Sequence, residues 1–255
     1  MTRIASLLYA SISYALFLSS FLYSIAWLGG FLVPKTIDSG PVSPTATAVI
    51  MNLLLLTAFA LQHSVMARPA FKRWWTQLVS PPIERATYVL LSSLLLFAIC
   101  LGWRALPQVV WQVEGTAAAI VWALFATGWL IVLLSTFMIS HFELFGLRQA
   151  WLHARGRAYT TPHYVERFFY RIVRHPLMLG FLIAFWSAPT MSVGHLLFSA
   201  VTTAYILVAL QFEERDLLAE HGASYASYRE RVPMLVPGLK WKSGRTGSLG
   251  PAEGK

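Results

Sequence analysis

The chain has 255 residues, 56% of them hydrophobic and only 12% charged, whereas a soluble domain is about one quarter charged; a water-soluble helical protein with a very apolar core is thereby set aside. The net charge of +9 argues little for nucleic acid, because the basic residues fall in short blocks that suit topogenic signals and anionic headgroups. The single cysteine, Cys100, lies in an apolar stretch, which excludes a disulfide framework and Cys-based metal sites.

Between Arg3 and Lys35 there is no Asp, Glu, Lys or Arg, and further charge-free windows cover 39–67, 86–103, 115–142 and 175–212. A spanning helix needs roughly 20 apolar residues for a hydrocarbon core of about 30 Å. Four windows fit one span each, so helices are predicted at about 4–33, 46–67, 86–104 and 116–141. The first does not read as a cleaved signal peptide: its apolar part far exceeds the roughly 7–15 residues of a signal h-region. Gly29, Gly30 and Pro34 mark its end, Pro41 and Pro44 punctuate the next loop, and Pro81-Pro82 precede the third helix.

The fifth window, 175–212, is too long for one crossing. It breaks at Ala-Pro-Thr-Met-Ser-Val-Gly-His, residues 188–195, where Pro189 and Gly194 disfavour a continuous helix. A tight helical hairpin with arms at about 177–188 and 194–212 is expected, its first arm short for a full crossing. Residues 68–85, 143–174 and 213–255 carry the basic surplus, while 35–45 and 104–114 hold one charge of each sign. The positive-inside rule places the first group in the cytoplasm. The expectation is an all-α polytopic bundle: four spanning helices, a C-terminal hairpin and both termini cytoplasmic. Residues 1–239 form one membrane domain, and 240–255 read as a disordered tail.

Polar residues at membrane depth are functional candidates. Gln62, His63 and Ser64 close the second helix. His141 and Glu143 close the fourth and lead to Arg148. His153 and His163 flank a loop and read as solvated. Arg174 and His175 stand immediately before Pro176, which suits a helix's first turn, where free N–H groups and the positive dipole end can hold a carboxylate or phosphate. Glu213 and Glu214 end the hairpin's second arm, and the hairpin returns them to the face that carries Arg174. No Gly-x-Gly-x-x-Gly, P-loop or His-Glu-x-x-His occurs, no Ser–His–Asp triad can be assembled, and no metal is expected.

Residues 174–238 read Arg-His-Pro-Leu-x-Leu-Gly, then Pro189, His195, Tyr205, Glu213-Glu214-Arg215, Gly222-x-x-Tyr225-x-x-Tyr228 and Val232-Pro233 to Pro237. This pattern resembles the C-terminal half of the isoprenylcysteine carboxyl methyltransferase and phospholipid methyltransferase superfamily, with Met178 where many members have Tyr. Gln62-His63-Ser64-Val65-Met66-Ala67-Arg68-Pro69, Glu84-Arg85-Ala86-Thr87-Tyr88 and His141 to Gln149 resemble its NnrU-related branch, most of all the bacterial enzymes that turn methanethiol into dimethyl sulfide.

The resemblance covers about residues 50–238. It implies binding of S-adenosyl-L-methionine by the half at about 142–238. Arg174, His175, Pro176, Leu177, Leu179 and Gly180 would hold its amino-acid end, Glu213 and Glu214 its ribose or ammonium, and Tyr205 would line the site. His63, His141 and Arg148 would face a small volatile thiol, with His63 or His141 as the base. It further implies a bacterial inner membrane, a cytoplasmic active site and lipid contact, and leaves the oligomeric state open. Methylation of a lipid or prenylated acceptor, and a non-enzymatic NnrU-type role, are the alternative readings.

Overall fold

The computed structural model describes residues 2–41, 43–160 and 168–239. His163 and the tail at 240–255 lie outside them.

Among the described residues five helices are long and apolar enough to cross a membrane, as a polytopic helical membrane protein requires. These are α1 (Arg3–Gly29), α2 (Thr45–Ala67), α4 (Pro81–Gly102), α5 (Gly115–Ile139) and α9 (Val193–Arg231), with the short α3 (Pro69–Trp75) after α2. Shorter helices among the described residues are α6 (His141–Leu144), α7 (Leu147–Ala154) and α8 (Pro176–Trp186), with a 3-10 turn at Phe168–Arg171. The predicted windows correspond to the long helices, and local chemistry sets their ends. Gly30 closes α1 with φ 72°, four residues short of the predicted end. Pro81 occupies the first turn of α4, so that helix starts earlier than predicted. Ser140, at φ 174° and ψ 92°, separates α5 from α6.

Two groups of contacts fix alternating directions for the long helices. At one end Tyr9 meets Thr87, Tyr14 meets His141, and Arg68 meets Asp216. At the other end Trp27 packs edge-on against Trp103, the Asn52 side chain bonds the backbone of Arg104, and Ser192 bonds Asp38. Small residues let the helices approach closely, as expected where lipid removes the hydrophobic drive between them. α1 buries Ser6, Ala10, Ser13, Ser20 and Ser24 along its length, and α4 meets it with the buried Ala86 and Ser93. Gly128 of α5 and Gly180 of α8 meet reciprocally: a Cβ on Gly128 would stand 2.7 Å from the Gly180 carbonyl oxygen, and one on Gly180 equally 2.7 Å from that of Gly128. Only glycine fits either position.

The hairpin is present, with a first arm as short as expected, but differs from the expectation in two ways. Its first arm, α8, has 11 residues, about 16 Å at 1.5 Å per residue, and the chain runs on through the non-helical residues 187–189. The break then forms a strand, β2 (Thr190–Ser192), antiparallel to β1 (Val109–Gln112). The fold is therefore helical with one small two-stranded sheet at the end remote from Arg174. The second arm, finally, does not stop at 212: α9 has 39 residues and kinks at Gly222, with φ 53° and ψ −128°. That kink turns the last helical stretch back along the outer part of α9.

Candidate functional site

The kink at Gly222 brings Tyr225 and Arg229 back to Glu214. This carboxylate is 5% exposed and is surrounded by donors. Arg174 reaches it bidentately, Nε to Oε1 at 2.7 Å and Nη2 to Oε2 at 3.0 Å. His175 Nε2 lies 2.9 Å from Oε1, the Tyr225 hydroxyl donates to Oε1 at 3.0 Å, and Arg229 Nε stands 2.9 Å from Oε2. Since Glu214 accepts, His175 carries its proton on Nε2. The same arginine clamps the C-terminal segment, because its Nη1 donates to the carbonyls of Arg229 and Val232 at 3.1 and 2.6 Å. The backbone N–H groups of Arg174 and His175 donate to Pro233 and Met234, and the Tyr228 hydroxyl donates to the Tyr170 carbonyl at 2.6 Å.

The motif around Arg174 therefore closes on itself. The Arg174 side chain is held inside by Glu214, not aimed at open space, and Gly180 is accounted for by its contact with α5. Leu177 and Leu179 pack against the main core. Two features remain directed outward. No side chain caps the amino end of α8, so its first-turn N–H groups remain a place for an anionic group. Glu213, one helical position from Glu214, is half-exposed and 3.9 Å from His175 Nδ1.

Beside this hub runs a second polar strip. The Tyr88 hydroxyl of α4 lies 3.0 Å from Nδ1 and 2.9 Å from Nε2 of His63 on α2. Ser92 donates to Gln62 at 3.1 Å, Ser64 donates to the Tyr205 hydroxyl at 3.2 Å, and Arg68 pairs with Asp216 at 2.8 Å. The strip and the hub meet on α9, which carries Tyr205 and Asp216 as well as Glu213 and Glu214; together they make a polar network on α2, α4, α9 and the start of α8.

His141 and Arg148 sit in a neighbouring cluster, beyond the packed side chains of Met66, Tyr88, Val89 and Phe145. Thr136 donates its hydroxyl proton to the Leu133 carbonyl at 2.7 Å, so it accepts from Nδ1–H of His141 at 2.8 Å. Nε2 of His141 then accepts from the Tyr14 hydroxyl at 2.7 Å. Both ring nitrogens are engaged, the ring stacks on Phe137, and burial holds its pKa below the usual histidine value. Arg148 pairs with Glu143 at 2.8 Å and bonds Thr160 through two nitrogens. Tyr159 donates to the same Glu143; burial first, and that bond second, push its phenol up to about 12. Among the described residues no group of three His, Cys, Asp or Glu side chains could hold a metal ion.

Residue type alone did not single out Tyr88, Tyr225, Arg229 or Tyr14. Tyr88 and Tyr225 stand in recognisable motifs, but their partners lie on other helices.

The description of the NnrU protein family matches residues 51–213 of the chain, the region holding α2 to the outer part of α9. The chain belongs to the NnrU family. Three similar relatives extend the match to nearly the whole length. "Methanethiol S-methyltransferase 2" of Bradyrhizobium diazoefficiens is 56% identical over 93% of this chain and 92% of its own. "Methanethiol S-methyltransferase" of Mycobacterium tuberculosis is 53% identical over 93% and 98%, and the protein of that name from Crocosphaera subtropica is 46% identical over 95% and 96%. No solved structure matches the chain. Within this NnrU member the polar network occupies α2, α4, α8 and α9, so most of it lies inside the matched region.

Proposed function

We propose that this protein methylates a small thiol, methanethiol to dimethyl sulfide, with S-adenosyl-L-methionine as methyl donor. The observation that carries the reading is the near full-length relationship, at 46–56% identity, to proteins named methanethiol S-methyltransferase. The polar network supplies a physical route. S-adenosylmethionine, when bound, supplies an electrophilic methyl group on a positively charged sulfur. The uncapped first turn of α8 around Leu177 suits the donor's carboxylate, and the half-exposed Glu213 suits its hydroxyls or ammonium. Arg174, His175 and Glu214 act by positioning: they lock the start of α8 to the outer part of α9, with Tyr205 alongside.

A thiol attacks far better as thiolate, and a neutral histidine can accept its proton. His63 is the base in this reading, because it stands in the polar strip with Tyr88 and Tyr205, whereas His141 lies in the neighbouring cluster beyond Met66, Tyr88, Val89 and Phe145. His141 and Arg148 shape the neighbouring wall. The thiol sulfur gains the methyl group and its proton passes to His63, then to solvent. In-line transfer asks chiefly for alignment and exclusion of water, which apolar helices provide; they also admit a small hydrophobic thiol and release a neutral thioether.

The basic surplus of residues 68–85, 143–174 and 213–255 supports a cytoplasmic location for the network and both termini. This reading has four crossings and a hairpin with that orientation, in a bacterial inner membrane.

The test is calorimetric titration of detergent-purified protein with S-adenosylmethionine, then addition of methanethiol and gas chromatography for dimethyl sulfide. Saturable binding with product supports the reading, and His63→Gln should then lower kcat by about 10²–10⁴ without weakening donor binding. Binding without dimethyl sulfide redirects it to a lipid or prenylated acceptor. A folded protein that does not bind the donor sinks the enzyme reading.

A further inference from the structure

A second concavity lies apart from this network. Its walls come from α3, the start of α4, α7 and residues 157–159, and Lys72, Glu84, Gln149, His153, Arg157 and Tyr159 are among the side chains lining a cavity of about 280 Å³. No residue of the Arg174–Glu214 hub or of the His63 strip lines it.

Two independent features describe what it would hold. The first is charge. Glu84 is buried and stands 3.4 Å from Lys72, which offsets one positive charge; Arg157 leaves the wall with a surplus even when His153 is neutral. The second is depth. The cavity sits where α2 has ended and α4 begins, beside α3 with its Phe71, Trp74 and Trp75, and Trp74 and Trp151 are both well exposed. Exposed tryptophans beside the ends of spanning helices mark the headgroup level of a bilayer.

We propose that this cavity binds the headgroup of an anionic glycerophospholipid, with the phosphate against Lys72 and Arg157. A phosphoglycerol group brings a net negative charge. A phosphocholine group brings the phosphate with a compensating positive charge.

The experiment titrates the detergent-purified full chain with dioctanoyl phosphatidylglycerol, dioctanoyl phosphatidylcholine and inorganic phosphate, following intrinsic tryptophan fluorescence. Phosphatidylglycerol should bind saturably and at least about tenfold tighter than either of the others. Lys72→Gln and Arg157→Glu should each weaken it about tenfold. Arg157 has no part in the network of the reaction, so Arg157→Glu should leave the S-adenosylmethionine titration unchanged; being exposed, it also tests the idea if loss of Lys72 unfolds the chain around Glu84. Equal affinity for phosphatidylcholine, or indifference to Arg157→Glu, overturns the proposal. Inorganic phosphate binding as tightly as phosphatidylglycerol overturns the lipid assignment, and displacement of phosphatidylglycerol by S-adenosylmethionine overturns the separateness of the cavity.

Discussion

Removing the Glu214 carboxylate tests whether the hub is a structural lock. Glu214→Ala deletes two bonds from Arg174 and one each from His175, Tyr225 and Arg229. The decisive loss is electrostatic: the Arg174 side chain is only 9% exposed and would keep its charge without a counter-ion. Breaking a buried pair from one side costs about 3–5 kcal/mol. For a chain of this size each kcal/mol moves Tm by about 2–4 °C, so a fall of roughly 6–20 °C is expected. Replacing both partners by apolar groups removes the most deeply buried of the stranded charges, Arg229 being partly exposed, so Arg174→Met combined with Glu214→Ala should recover much of the loss. The assay is thermal unfolding of detergent-purified variants followed by intrinsic fluorescence, with circular dichroism confirming helix content. A Tm within about 2 °C of wild type for Glu214→Ala, or additive losses in the double variant, would refute the lock.

Glu213 faces outward, so Glu213→Gln should leave Tm within a degree or two but weaken S-adenosylmethionine binding at least about tenfold, as read by calorimetry; unchanged affinity removes it from the donor site. Gly180→Val would drive side-chain atoms into the Gly128 carbonyl and the Val132 backbone, and a fall in Tm matching about 1–3 kcal/mol of overpacking is expected, whereas a stable variant would deny the close α5–α8 contact. His141 is held below its usual pKa by burial, so the folded chain binds fewer protons than the unfolded one below about pH 6.5. Its contribution to stability is therefore present above that pH and lost as the pH falls. The Tm of His141→Asn should drop less steeply between about pH 6.5 and 5 than that of wild type, and parallel slopes would exclude His141 as the source.

Much of the fold was legible because a bilayer imposes a length rule that charge-free windows obey directly. Pro81, Pro189 and Gly194 marked ends and breaks for steric reasons that act locally. What escaped was set by distant contacts. Residues 213–231 are charged and amphipathic, and their continuation of α9 rests on tertiary bonds to Arg174 and Tyr170. The strand at 190–192 exists because residues 109–112 lie alongside it, a pairing about 80 residues apart that no local pattern announces. The candidate site was legible as a set of residue types, and Arg174, His175, Glu213 and Glu214 do come together. Their individual tasks were not. An arginine before a helix start has the same local sequence whether it holds a ligand's carboxylate or one of the protein's own.

The two adjacent glutamates show how a single helical step separates those tasks. Successive residues on an α-helix point about 100° apart, so on a helix packed along one face Glu214 can turn inward while Glu213 stays half-exposed. The inward carboxylate is matched by two arginines, a histidine and a tyrosine drawn from sequence positions 174 to 229. Each of those residues also fixes a backbone or lies beside one that does: Arg174 binds the carbonyls of Arg229 and Val232, and Tyr228 binds that of Tyr170. The start of α8 is consequently held by covalent continuity on one side and by a charged lock on the other. A helix amino terminus attracts an anionic group only if its N–H groups stay aimed at one point. A buried ion pair adds little net stability to a core but fixes geometry when every member is satisfied. In this chain the charge buried at Glu214 is best understood as holding the first turn of α8 still, and under the proposed function Glu213 and that turn are then the groups left to meet the methyl donor.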